Sequence, residues 1–112
     1  MKKIFLSIFT LLLSVPHIQS AEDHIVYQGK TGPGKGKHIV FLSGDEEYRS
    51  EEGLPMMAKI LSQRHGFKCT VLFSLNEKGE IDPNNQKSLS QPQALDSADA
   101  IIMLLRFRTW PD

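Results

Sequence analysis

The chain has 112 residues, with 13 Lys and Arg against 13 Asp and Glu and a formal net charge of zero. That balance leaves no electrostatic footprint for DNA, RNA or an anionic membrane surface. The single cysteine, Cys69, excludes an internal disulfide framework.

The chain opens with the basic start Met1-Lys2-Lys3. A nearly unbroken apolar run follows from Ile4 to Val15, interrupted only by Ser7, Thr10 and Ser14. Pro16 ends it, and Ser20-Ala21 supplies small residues for cleavage, so residues 1–21 read as a secretory signal peptide. The run is shorter than the roughly 20 residues that span a bilayer; an uncleaved N-terminal anchor is the alternative. No cysteine directly follows it to carry a lipid. The expected product is periplasmic or extracellular, with no membrane attachment after cleavage. Cleavage also removes Lys2 and Lys3 and leaves the acids in slight excess.

Residues 22–36 read as a flexible lead-in. Ile25-Val26-Tyr27 has the composition of a short edge strand, and Gly29 to Gly36 has that of a linker. Gly29, Gly34 and Lys35 fit most of a phosphate-binding GxxxxGK pattern. Position 36 is Gly, however, so the hydroxyl that would hold magnesium is missing. Such a loop must follow a strand and open a helix; this one precedes a strand. No nucleotide or other cofactor is expected.

The first core strand is predicted over His38 to Leu42 or Ser43, a run of apolar, β-branched and aromatic residues. Ser43-Gly44 turns the backbone, and Asp45-Glu46-Glu47-Tyr48-Arg49 follows. Ser50 reads as a capping hydroxyl with Glu51 and Glu52 in the positive first turn, and Pro55 as a first-turn residue. The regular helix is therefore expected from Gly53 or Leu54. Its apolar face is Leu54, Met57, Ala58, Leu61 and His65, with Lys59, Ser62 and Gln63 off that face. Gly66 reads as its left-handed cap.

The second strand is predicted over Lys68 to Phe73, with Cys69, Val71 and Phe73 alternating against Thr70 and Leu72. Cys69 reads as a small buried hydrophobe, with a reactive thiol as the alternative. Asn76 to Ser90 is a long polar loop with turn signals. One or two helical turns are expected over Gln91 to Ser97, anchored by Leu89 and Leu95. The third strand, Ala100 to Leu105, is apolar throughout and is expected to be buried on both faces. Arg106-Phe107-Arg108-Thr109 leaves its end.

Strand, helix, strand, short helix, strand is a doubly wound α/β pattern with a parallel sheet. Right-handed crossovers place the second and third strands on opposite sides of the first. Residues Asp45 to Arg49 and Arg106 to Thr109 then line one crevice at the carboxyl ends, where open α/β sheets bind ligands. Three strands leave an apolar edge unpaired, which points to the front portion of a larger domain.

Asp45, Glu46, Tyr48, Arg49, Arg106 and Arg108 are the ligand-binding candidates, and Glu46 and Glu47 the candidates for acid–base catalysis. The carboxylates, with Glu51 and Glu52, lack the spacing of a calcium loop, and no metal is expected; a solvated acidic turn neutralised by Arg49 is the plain alternative. Arg106 and Arg108 alternate on an extended segment and should point to opposite sides. One then faces the crevice, to hold an anion or a sugar hydroxyl, and the other faces away; pairing of Arg106 with Asp45 or Glu47 is the alternative. Tyr48, Phe107 and Trp110 have the makings of an aromatic wall or of ordinary packing. No Ser-His-Asp arrangement and no GxSxG elbow is present: His24, His38 and His65 sit in the lead-in, at a strand start and at a helix end.

The stretches GKHIVFLSGDEEYRSEEGLPMMAKILSQRHGFKCTVLF, GEIDPNN and ALDSADAIIMLLRFRTWPD, in that order, resemble the start of ThuA-like domains. The resemblance covers residues 37–112. It implies a flavodoxin-like parallel sheet similar to that of class I glutamine amidotransferases, and an association with sugar metabolism. Members of the family generally lack the amidotransferase cysteine nucleophile. By position it carries over only Gly44 to Arg49 and Arg106 to Arg108 as pocket walls. A complete domain of this family is much longer. The expectation is an exported domain that binds or processes a carbohydrate-related small molecule. The alternatives are a non-catalytic sugar-binding module of a longer exported chain and a truncated fragment without activity of its own.

Overall fold

The computed structural model describes residues 22–111; the predicted signal peptide lies outside them. Four strands form one mixed sheet: β1 (His24–Gln28), β2 (His38–Gly44), β3 (Lys68–Leu72) and β4 (Ala100–Leu105). One helix, α1 (Ser50–His65), joins β2 to β3, and a 3-10 helix, Pro92–Ser97, precedes β4. The strand order is β1-β3-β2-β4. The three core strands are parallel, and β3 and β4 flank β2 on opposite sides, as the crossover argument expects. The lead-in supplies the edge strand β1, antiparallel to β3.

β2 is buried along its whole length, because its four apolar residues serve two cores. Ile39 and Phe41 pack with Cys69, Val71 and Phe73 beneath Leu54 and Ala58 of α1. Val40 and Leu42 pack with Leu72, Leu89, Leu95 and Trp110 on the other face. The 2.0-residue period of the strands sends alternate side chains to these two layers.

His38 fastens the amino end of β2. Its Nε2 lies 2.8 Å from Thr70 Oγ1, and its Nδ1 lies 3.0 Å from Ser97 Oγ. Its N–H donates to Asp99 Oδ2 at 2.8 Å. That backbone bond, with Lys37 nearby, holds the Asp99 carboxyl below the usual carboxylate range.

Three expectations need correction. The buried stripe of α1 is Ser50, Leu54, Ala58 and Ser62, an i, i+4 row of mostly small residues. Met57 is 45% exposed, His65 is exposed, and Ser62 faces inward. Leu54 and Ala58 of the expected face are buried, and Leu61 is half-buried against the core. Next, α1 begins at Ser50, so Pro55 lies inside the helix and beyond its first turn. There it removes the N–H that would bond to Glu51. Finally, β4 is not buried on both faces: Ile101 is 47% and Met103 62% exposed. Its outer edge pairs with no strand among the described residues, so apolar composition marks surface that lacks a cover here.

Cys69 is fully buried in the first core, and burial pushes its thiol up to about 11 from 9.0. The raised value disfavours the thiolate in the folded state only. The corresponding stability is complete below the unfolded-state pKa and is lost as pH rises from about 9 toward about 11. Urea midpoints should fall over that window in the native chain and stay level in Cys69→Ala. At neutral pH an aromatic disulfide reagent should label Cys69 only at the global unfolding rate.

Candidate functional site

The carboxyl ends of β2 and β4 bring the two charged segments together. Register does this: Gly44 pairs with Leu105, and Arg106 N–H donates to Gly44 O at 2.9 Å. The loop after β2 is shaped by Asp45, which is 5% exposed. Its Oδ1 accepts the N–H groups of Glu47 at 3.0 Å and Tyr48 at 3.1 Å, an Asx-type turn that bends the chain locally. Ser50 is the first residue of α1 rather than its cap. Arg49 caps in the left-handed region, with φ of 53°. The Ser50 hydroxyl instead accepts Asp45 N–H at 2.8 Å and meets Ser43 Oγ at 2.9 Å. It therefore ties the loop to the strand end.

Arg106 forms an ion pair with Glu47, and its guanidinium lies 4.8 Å from the centre of the Phe107 ring. Arg108 Nη1 lies 3.5 Å from Glu46 Oε2. The expected alternation fails here: both arginines face the acidic loop. Phe107 adopts φ of 51°, so the segment is not extended and the opposite-sides rule does not apply. Arg49 pairs with Glu52 on the exposed surface. Tyr48 and Phe107 are exposed at 73% and 67%, which leaves two aromatic faces beside the charged groups. Trp110 goes elsewhere: it packs in the second core and its Nε1 donates to Ser88 O at 3.0 Å.

Behind these pairs lies a second layer that the sequence reading missed. The Arg108 side chain is 3% exposed. Its Nη2 donates to Pro83 O at 2.6 Å and its Nη1 to Arg106 O at 3.3 Å. Gly44 makes room for it, since a Cβ there would lie 2.7 Å from Arg108 Nε and 2.8 Å from Leu105 Cδ2. A partly open cavity of about 10 Å³ is lined by Ser43, Gly44, Ser50, Glu51, Ser74 and Arg108, together with Phe73, Ile81 and Pro83. Three of these residues carry buried polar atoms without a hydrogen-bonding partner: Glu51 Oε2, Ser74 Oγ and Arg108 Nε.

The loop after β3 forms one wall. Ser90 Oγ accepts Phe73 N–H at 2.9 Å, Ser88 Oγ accepts Leu75 N–H at 2.7 Å, and Asn85 Nδ2 donates to Leu75 O at 2.6 Å. Its polar residues therefore replace the missing ladder beyond β3. The clue in the sequence was their density, which reads equally well as solvated loop.

The phosphate-loop look-alike is placed far from this chemistry. Gly29 and Gly34 donate their N–H groups to Phe67 O at 3.0 Å and His65 O at 2.8 Å. The stretch thus lies on the carboxyl end of α1, the negative pole of the helix, where a phosphate would be repelled. Among the described residues no group of three or more His, Cys, Asp or Glu side chains is placed to hold a metal ion. No protein-family model, no curated protein and no solved structure matches this chain.

Proposed function

We propose that this chain is the front portion of an exported ThuA-like, flavodoxin-like domain. It binds a carbohydrate-related small molecule in the crevice at the carboxyl ends of β2 and β4. The observation that carries this reading is the convergence of Glu46–Arg108, Glu47–Arg106 and the exposed Tyr48 and Phe107 rings at one strand-end crevice. Paired carboxylates and guanidiniums offer acceptors and donors side by side, which suits hydroxyl groups that do both. Exposed aromatic faces suit the apolar face of a sugar ring. The position is the one open α/β sheets use for ligands.

Between an enzyme and a binding module, the geometry favours the module. The two candidate acid–base groups, Glu46 and Glu47, both have arginine partners. Titration with neutral mono- and disaccharides, followed by amide NMR, tests the reading. Shifts confined to residues 44–49 and 105–109, weakened tenfold or more in Arg106→Ala, are expected. Absence of any shift at these residues, for every sugar tried, would refute it. Glycoside turnover lost in Glu46→Gln or Glu47→Gln with binding retained would make the domain an enzyme instead.

A further inference from the structure

We propose that the cavity behind Arg108 is a subsite for one uncharged hydroxyl oxygen: a water in the free protein, and an alcohol of the ligand in the complex. The ligand would then be a neutral polyol presented hydroxyl-first, not a phosphate ester or a carboxylate. This rests on the crevice being a small-molecule site, and it specifies what that site selects.

Three observations converge. The residues that carry the unpartnered atoms come from separate parts of the chain. Glu51 lies in the first turn of α1, Ser74 lies just past β3, and Arg108 lies just past β4. All three line the same cavity. An unsatisfied buried polar group costs on the order of 1–3 kcal/mol, more if charged, so three around one void call for a shared partner. The second observation is size. About 10 Å³ is room for the centre of a single water-sized oxygen.

The third is the chemistry of the lining. Arg108 Nε–H only donates, the Glu51 carboxylate only accepts, and the Ser74 hydroxyl does either. A hydroxyl or water accepts from the arginine and donates to the carboxylate at once. An anion has no proton for Glu51 and meets its negative charge; a cation meets Arg108. Beyond the cavity, Glu46, Glu47 and Glu52 pair with Arg108, Arg106 and Arg49, so each cation of the crevice already has a carboxylate partner.

The test uses the whole chain with glucitol and glucitol 6-phosphate as probes, in wild type, Glu51→Gln and Ser74→Ala. Glu51→Gln retains the shape, replaces the charged acceptor by a weaker neutral carbonyl, and removes the negative charge that disfavours an anion. Binding of glucitol in preference to its phosphate, weakened tenfold or more in Glu51→Gln and also weakened in Ser74→Ala, is the expected result. Tighter binding of the phosphate overturns the proposal. Glucitol binding unchanged in both variants also overturns it, yet leaves the crevice as the ligand site. If neither probe binds, an atomic-resolution structure of the free protein decides the subsite. One oxygen within hydrogen-bonding distance of Arg108 Nε and Glu51 Oε2 supports it; a dry cavity or a bound anion overturns it.

Discussion

Arg108→Ala is expected to destabilise the fold by about 2–4 kcal/mol and to abolish ligand binding at the crevice. The energy comes from a side chain that is 3% exposed and holds three segments at once. It reaches the β2 loop through Glu46, the loop after β3 through Pro83 O, and its own turn through Arg106 O. Charge-assisted hydrogen bonds contribute roughly 1.5–3 kcal/mol each when buried. Removing one partner of a largely buried pair also leaves the other uncompensated. Glu46 keeps partial access to water, with 27% of its side chain exposed, which holds the loss below that of a fully buried pair. Urea unfolding reads the stability term. Arg108→Lys separates charge from shape: a lysine retains the positive charge and loses the planar fork and the Nε–H. It should recover part of the stability and none of the cavity's donor function. A stability loss under 1 kcal/mol in Arg108→Ala would mean that the three contacts do not act together.

Arg108 also marks where sequence reasoning stopped. Strands β2, β3 and β4 are legible because each is a short apolar run bounded by turn residues, and their order follows from crossover handedness. The meeting of residues 45–49 with 106–109 follows from that order alone. Yet the roles within the crevice do not. Arg106 and Arg108 share a side because Phe107 takes φ of 51°, a choice made by the surroundings and not encoded in an RFR pattern. The helix face was legible in part. Periodicity rightly placed Leu54, Ala58 and Leu61 toward the core, but Met57 and His65 turn out exposed and Ser62 is buried in their stead. Ser74 carried no signal of its own, since a serine after a strand usually faces water. It is buried nonetheless, and shares the lining of the cavity with Ile81 and Pro83 from the long polar loop.

The glycines of the lead-in make the same argument with the opposite outcome, because composition there suggested slack. Gly66→Ala is expected to cost about 2–4 kcal/mol, although the residue is only a helix cap. Its φ of 84° lies in the left-handed region, which disfavours any Cβ by roughly 1–2 kcal/mol. A Cβ there would also lie 2.6 Å from Thr31 O and 2.7 Å from Thr31 C. That neighbour is backbone and has no rotamer to yield, so the 29–34 stretch must move off the helix end. Gly29 reports the same fit from the other side, since its Cβ would lie 2.3 Å from Gly66 C. Moving the stretch breaks the bonds from Gly29 N–H and Gly34 N–H and loosens β1, the edge strand it leads from. Gly53→Ala is the matched control. It sits within α1 with open space around its Cα, and alanine should stabilise it by about 0.5–1 kcal/mol through helix propensity. Opposite signs for the two substitutions in one urea series would show that close backbone approach, not chain slack, fixes the lead-in on α1. Equal and small effects would return residues 29–36 to the status of a linker.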